Sequence, residues 1–211
     1  MNNRSLITER DVDILTTLKD KTGKLSLEQI ARTWFRGSRG AAANRVRVLE
    51  SSGLIESMFP TTHPEIELSA PHFSWRPGEQ PPAGEQLSWK LKSRWSQPPK
   101  RTRIIIPTKK TVSILGGEPV RPSRSRAILH DLHVASIYLR FLRRDRLTAE
   151  GWIHETNLYR NGFGRDGLPL PDAVIELDEL VAIDFGGAYS AAKIRKIHNS
   201  YEKHNMAYQI W

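Results

Sequence analysis

Between residues 38 and 47 the chain reads Ser38-Arg39-Gly40-Ala41-Ala42-Ala43-Asn44-Arg45-Val46-Arg47. An asparagine side chain can pair with two atoms on an adenine edge, an arginine with two on a guanine edge, and arginine also reaches phosphate. Ser38 and Arg39 stand where a helix would begin, and the unpaired backbone N–H groups of a helix start favour phosphate. Arg45 and Arg47 are two residues apart and cannot share one helix face. One is therefore expected along a groove and the other at the backbone. A second set lies near the other end. Asp172 follows Pro171, Asp184 closes an apolar run, and Lys193, Arg195 and Lys196 follow on a basic stretch.

Other chemistry is weaker or absent. In Leu129-His130-Asp131-Leu132-His133 the two histidines are three apart and can share a helix face. A zinc ion would need a third ligand from Asp131 or His154. The chain has no cysteine, so these histidines read as capping or core residues, and thiolate metal sites and disulfides are excluded. His198 and His204 read as surface residues. No Ser-His-Asp spacing, phosphate-binding loop or dinucleotide fingerprint occurs.

The elements that must carry the first set read as three helices and a hairpin. Thr8 caps a helix with Val12, Ile14, Leu15 and Leu18 inward, preceded by Ile7 as a staple. Ser26 and Gln29 form a capping-box pattern for a second helix, with Leu27, Ile30, Ala31 and Trp34 inward. The third helix runs from about Arg39 to Ser52, with Ala42, Val46 and Leu49 as its apolar stripe. Gly53 ends it. Leu54 to Phe59 reads as a strand.

The middle, about 60–126, holds eleven of the thirteen prolines, which interrupt regular structure. It also holds Trp75, Trp89 and Trp95, and disordered linkers seldom carry tryptophan. It reads as an ordered, irregular connector with a helix near Gln86–Trp95 and a strand at Arg103–Pro107. Its run of Lys90, Lys92, Arg94, Lys100, Arg101, Arg103, Lys109 and Lys110 suits a phosphate-tracking surface, but its tryptophans are expected to lock it onto its neighbours. The last third reads as a helix from Ala127 to Arg144, a strand at Trp152–Tyr159, a turn at 162–167, strands at 173–177 and 180–185, a helix from Ser190 to about His204, and a final strand at 207–211. Gly186-Gly187 reads as the tight turn from strand to helix.

The stretches Ile7-Thr8-Glu9-Arg10-Asp11 and Arg45-Val46-Arg47-Val48-Leu49-Glu50-Ser51-Ser52-Gly53-Leu54-Ile55 resemble the winged helix-turn-helix of the replication-relaxation family. The acidic and basic residues of the last third resemble the PD-(D/E)xK nuclease core. The second resemblance implies Mg²⁺ held by Asp172 and Asp184, helped by Glu155 with Glu150 behind it, and a lysine that polarises the scissile phosphate. The lysine expected two positions after the second carboxylate is missing, because the chain reads Asp184-Phe185-Gly186. Lys193 or Lys196 on the next helix is its expected replacement. Relatives that join the two parts imply a catalytically silent second part.

The expected fold class is therefore α+β, in three segments. These are a winged helix-turn-helix at 1–60, a basic Pro/Trp-rich connector at 61–126, and a PD-(D/E)xK-like α/β domain at 127–211. Charge agrees. The net charge is +9; residues 61–130 hold 12 basic against 5 acidic residues, whereas 131–211 hold 10 against 11. A basic front attracts polyanions through a long-range, salt-screened field. The expected partner is double-stranded DNA, read by Ser38, Arg39, Asn44, Arg45 and Arg47 in a regulator or mobile-element maintenance factor. A Mg²⁺-dependent endonuclease, or a subunit of a larger DNA-processing complex, is the alternative. A homodimer would suit palindromic sites. No apolar run approaches the ~20 residues of a membrane span, so the expected location is the cytoplasm.

Overall fold

The computed structural model describes residues 7–120, 128–165 and 167–211. The expected helix start at Ala127 and Asp166 of the expected turn lie outside the described residues. The chain is a mixture of helices and small sheets and divides into two compact units, 7–62 with 99–135 and 63–98 with 136–211. The segment expected to be one connector is thus shared between them.

The first unit begins with α1 (Glu9–Thr16). Thr8 and Asp11 cap it reciprocally, as a hydroxyl and a carboxylate three residues apart can. A π-helical turn, Thr17–Thr22, carries the chain to Gly23, whose φ of 70° ends it. After β1 (Leu25–Ser26), Ser26 and Gln29 close a second capping box on α2 (Leu27–Trp34). α3 (Arg39–Ser51) follows a tight turn through Arg36 and Gly37, both at positive φ. Ala42, Val46 and Leu49 of α3 are buried with Ile30 and Ala31 of α2, as their spacing predicts. Val12 differs from its expectation. It remains 42% exposed, while Ile14, Leu15 and Leu18 take the interior.

β2 (Ile55–Met58) does not pair with β1. Both pair antiparallel with β6 (Ile104–Pro107), which arrives about forty-five residues after β2 and lies between them. Beyond β2 a second ladder joins β3 (Thr61–Thr62) to β5 (Lys100–Arg101), so the two legs form an antiparallel ribbon. α5 (Lys109–Leu115) and the start of α6 (Ile128–Arg144) complete this unit. Lys24 donates to Asp131 at 2.6 Å and Gln29 to the Leu132 carbonyl at 2.6 Å. The lysine is buried, so this pair satisfies a charge that would otherwise be costly to desolvate.

The second unit is built on a five-stranded sheet in the order β4-β10-β9-β8-β7. These are Phe73–Trp75, Ala207–Ile210, Leu180–Asp184, Ala173–Glu176 and Ile153–His154. β8 and β9 are an antiparallel hairpin, and β10 returns parallel to β9 through α9 (Ala191–Lys203). Parallel neighbours require such a crossover helix. The edge strand β4 and α4 (Gly84–Lys92) come from the proline-rich middle. Trp75, Leu87 and Leu91 share one core with Ala182, Ile194, Tyr201, Tyr208 and Ile210. Trp95 stacks edge-on to Phe185. Two of the three connector tryptophans therefore anchor this unit. α7 (Arg146–Glu150) and α8 (Glu155–Arg160) precede the hairpin.

Two local expectations need correction. The strand expected at Trp152–Tyr159 is only two residues long. His154 Nδ1 accepts from the Thr156 N–H at 3.1 Å and starts α8 instead. His198, expected at the surface, is buried, and its Nδ1 lies 3.1 Å from the Tyr208 hydroxyl.

Candidate functional site

The exposed face of α3 is a row at helical spacing: Gly40, Asn44, Arg47 and Ser51. It opposes Ala42, Val46 and Leu49, which bury the helix. Ser38 caps the helix by accepting from the Ala41 N–H. Arg47 Nη1 donates to Asn44 Oδ1 at 3.1 Å, so the two polar side chains are held together on the outer surface. Arg39 lies at the first helical position, 69% exposed, with its Nε 3.0 Å from Glu28. Arg36, exposed in the preceding turn, adds a further cation.

Arg45 departs from its expected place. It turns from the outer row toward α1, where Nε donates to Asp11 Oδ1 at 2.8 Å and Nη2 to Oδ2. Asp11 is fully buried. Burial alone would raise the Asp11 pKa, but the hydrogen bonds from Arg45 and Thr8 outweigh it and hold the carboxyl below its ordinary value. Bonding to Asp11 raises the already high pKa of Arg45. The two-residue offset from Arg47 did place these arginines on different faces; what it concealed was a buried carboxylate waiting on α1.

The ribbon beyond β2 carries a second group of cations. Lys100 and Arg101 are exposed. The guanidinium groups of Arg101 and Arg103 lie 5.1 and 5.9 Å from the centre of the Phe59 ring, which is half exposed. Arg103 also donates to Glu50 at 2.7 Å and to Ser57, so it braces the ribbon against α3.

In the second unit, the β8–β9 hairpin brings Asp172 and Asp184 to adjacent strand ends, one step beyond the Ala173–Ile183 pair. Asp172 accepts from the Phe185 N–H at 2.7 Å, and the Asp172 carbonyl accepts from the Glu155 N–H. Asp184 is 7% exposed and accepts from the Tyr201 hydroxyl at 3.0 Å. Burial first, and then the Asp184 charge, push the Tyr201 hydroxyl far up, so it stays a donor. Tyr189 is pushed up likewise, by burial and then by both aspartates. Lys193 places its Nζ 3.6 Å from the centre of the Tyr189 ring, while Lys196 is exposed.

Among the described residues no three His, Asp or Glu side chains form a metal-holding group. Glu155 joins Asp172 through its backbone. Position 186 has no room for the missing lysine. A Cβ there would lie 2.7 Å from Ile210 and 2.8 Å from Leu91, both in the sealed core. The His130–His133 pair makes no such group either; His133 is buried and donates from Nδ1 to the Leu129 carbonyl.

Among the described residues no helix is long and apolar enough to cross a membrane. Comparison of the chain with protein-family models, with curated proteins and with solved structures returned no match.

Proposed function

We propose that the first unit is a winged helix-turn-helix that binds double-stranded DNA, with α3 in the major groove and the β2–β6 ribbon as the wing. The order α1, β1, α2, α3, β2, β6 and the sheet β1-β6-β2 support this reading. The observation that carries it is the outer row of α3. It is a groove-width helix whose solvent face holds Asn44 and Arg47 in one hydrogen-bonded pair, with Ser38 and Arg39 at its start. Asn44 and Arg47 would meet base edges, and Arg39 with the helix start would meet phosphate. Arg45 belongs to the fold, so the reading set narrows to Ser38, Arg39, Asn44 and Arg47. Lys100 and Arg101 of the wing suit the flanking backbone.

The second unit is read as nuclease-like in topology and catalytically silent. Its aspartates serve hydrogen bonds to Phe185 and Tyr201, and the place of the phosphate-polarising lysine is filled.

The test is fluorescence anisotropy with a labelled duplex across a salt series. Arg47→Ala should weaken binding and lower the slope of log affinity against log salt by about 0.9 for each phosphate that the variant no longer neutralises. Loss of a paired base edge through Asn44→Ala should cost about 1–3 kcal/mol. If the Arg39, Asn44 and Arg47 alanine variants bind as tightly as the parent chain, with the same slope, the reading is wrong.

A further inference from the structure

Trp89 keeps 71% of its surface in solvent, while the other five tryptophans are buried or half-buried. It stands on α4 opposite the residues that bury that helix, Leu87, Ser88 and Leu91. Its exposed neighbours on the helix are Glu85, Gln86, Lys90, Lys92 and Ser93. The ring is thus a lone apolar plane in a polar field, not part of an apolar patch of the kind that marks a protein interface.

The surroundings are cationic. α9 lies alongside α4. Arg195 donates to Glu85 at 2.6 Å, Ser88 donates to the Tyr189 carbonyl at 2.8 Å, and a Cβ on Gly84 would lie 3.5 Å from the Ala191 carbonyl. The Arg195 pair neutralises Glu85. That leaves Lys92, one helical turn beyond Trp89, and Lys90 exposed on α4. The positive charge acts inward as well. His72 is held below its ordinary pKa, by burial first and then by Arg94 and Lys90.

We propose that the exposed face of α4 binds single-stranded nucleic acid, with a base stacked on Trp89 and phosphate held by Lys92. An exposed aromatic plane flanked by flexible ammonium groups is the combination that single strands use, because every base offers a π-face and the backbone tracks the cations. A duplex hides its ring faces in the stack and cannot use Trp89. The inference involves no residue of α3 and does not depend on the duplex reading.

The experiment titrates the full chain into a labelled oligothymidylate of about 20 nucleotides, longer than a single-strand site, with a labelled duplex in parallel. Trp89→Ala should weaken single-strand binding roughly 5- to 150-fold, the equivalent of one missing stack at about 1–3 kcal/mol, and leave duplex binding unchanged. Trp89→Phe should recover much of the loss. Lys92→Ala should lower the single-strand salt slope by about 0.7. Thermal unfolding of each variant controls for folding, and the phenylalanine and lysine variants carry the test should the alanine variant be unstable. The proposal is overturned if the parent chain does not bind the oligonucleotide. It is equally overturned if Trp89→Ala binds it as the parent does, or if Trp89→Ala weakens duplex and single strand alike.

Discussion

Arg45 of α3 holds the buried carboxylate of Asp11 on α1 with two hydrogen bonds, one from Nε and one from Nη2. The same carboxylate accepts from the Thr8 backbone at 2.7 Å. One aspartate thus caps the first helix and pins the third. Arg45 and Arg47, two residues apart in sequence, differ in place: one is bonded inward to α1 and the other stands on the exposed row.

Arg45→Ala should therefore destabilise the chain by roughly 3 kcal/mol, since it strands a buried charge. Arg47→Ala, on the exposed row, should change stability by less than about 0.5 kcal/mol. Urea unfolding at neutral pH distinguishes them. Equal stability of the two variants would contradict the division of labour.

The Asp11 pair also sets an acid dependence. The folded carboxyl has a depressed pKa, so its contribution is fully present above the ordinary aspartate value of about 4. It is lost as pH falls through the lower folded value. The stability gap between the parent chain and Asp11→Asn should be constant from neutral pH to about 5 and should narrow only in stronger acid. A gap that persists undiminished at the acid limit would count against the pair.

Gly186 is constrained by space, not by backbone angle. A methyl group there would press on Ile210 and Leu91. Gly186→Ala should cost about 1–3 kcal/mol, as overpacked cores do, and Leu91→Ala in the same chain should recover part of that loss. Gly186→Lys should unfold the second unit rather than create a nuclease. Plasmid cleavage by a folded Gly186→Lys protein would show that position 186 does accommodate the lysine, and Mg²⁺-dependent cleavage by the parent chain would refute the silent reading.

Neither unit is a continuous segment, and fragments cut at the boundaries read from sequence should fail. A 1–60 fragment lacks β6, without which β1 and β2 have no partner strand. A 127–211 fragment lacks β4 and α4 and leaves the bed of Trp75, Leu87 and Leu91 open. Circular dichroism and amide dispersion should show both to be poorly ordered. A cooperatively folded 127–211 fragment would argue that the borrowed elements are dispensable.

How much of this is legible in the sequence follows from the range of each interaction. The capping boxes at Thr8 and Ser26 and the buried stripe of α3 involve residues three or four apart, and the sequence displays them openly. The exposed pair Asn44–Arg47 is visible for the same reason. The place of Arg45 is not, because its partner lies 34 residues away, and spacing along one helix says nothing of a distant carboxylate. β4 and α4 join the second sheet through pairings more than a hundred residues apart, as Tyr208 with Trp75. Prolines on both sides make that stretch look like a link. α8 replaces a strand because one histidine cap outweighs a run of residues with mixed propensity. The exposed ring of Trp89 cannot be told in the sequence from buried Trp75 or half-buried Trp95.

The strand that closes the first sheet is synthesised only after residues 63–98, which belong to the second unit. Ile55–Met58 must wait for Ile104–Pro107, and Phe73–Trp75 must wait still longer for Ala207–Ile210. Growth of the nascent polypeptide therefore cannot complete one half before starting the other. A translational pause before residue 104 leaves unpaired edges in both halves, and one between 107 and 207 still leaves Phe73–Trp75 bare, which makes the arrival of Ala207–Ile210 a checkpoint for the second half.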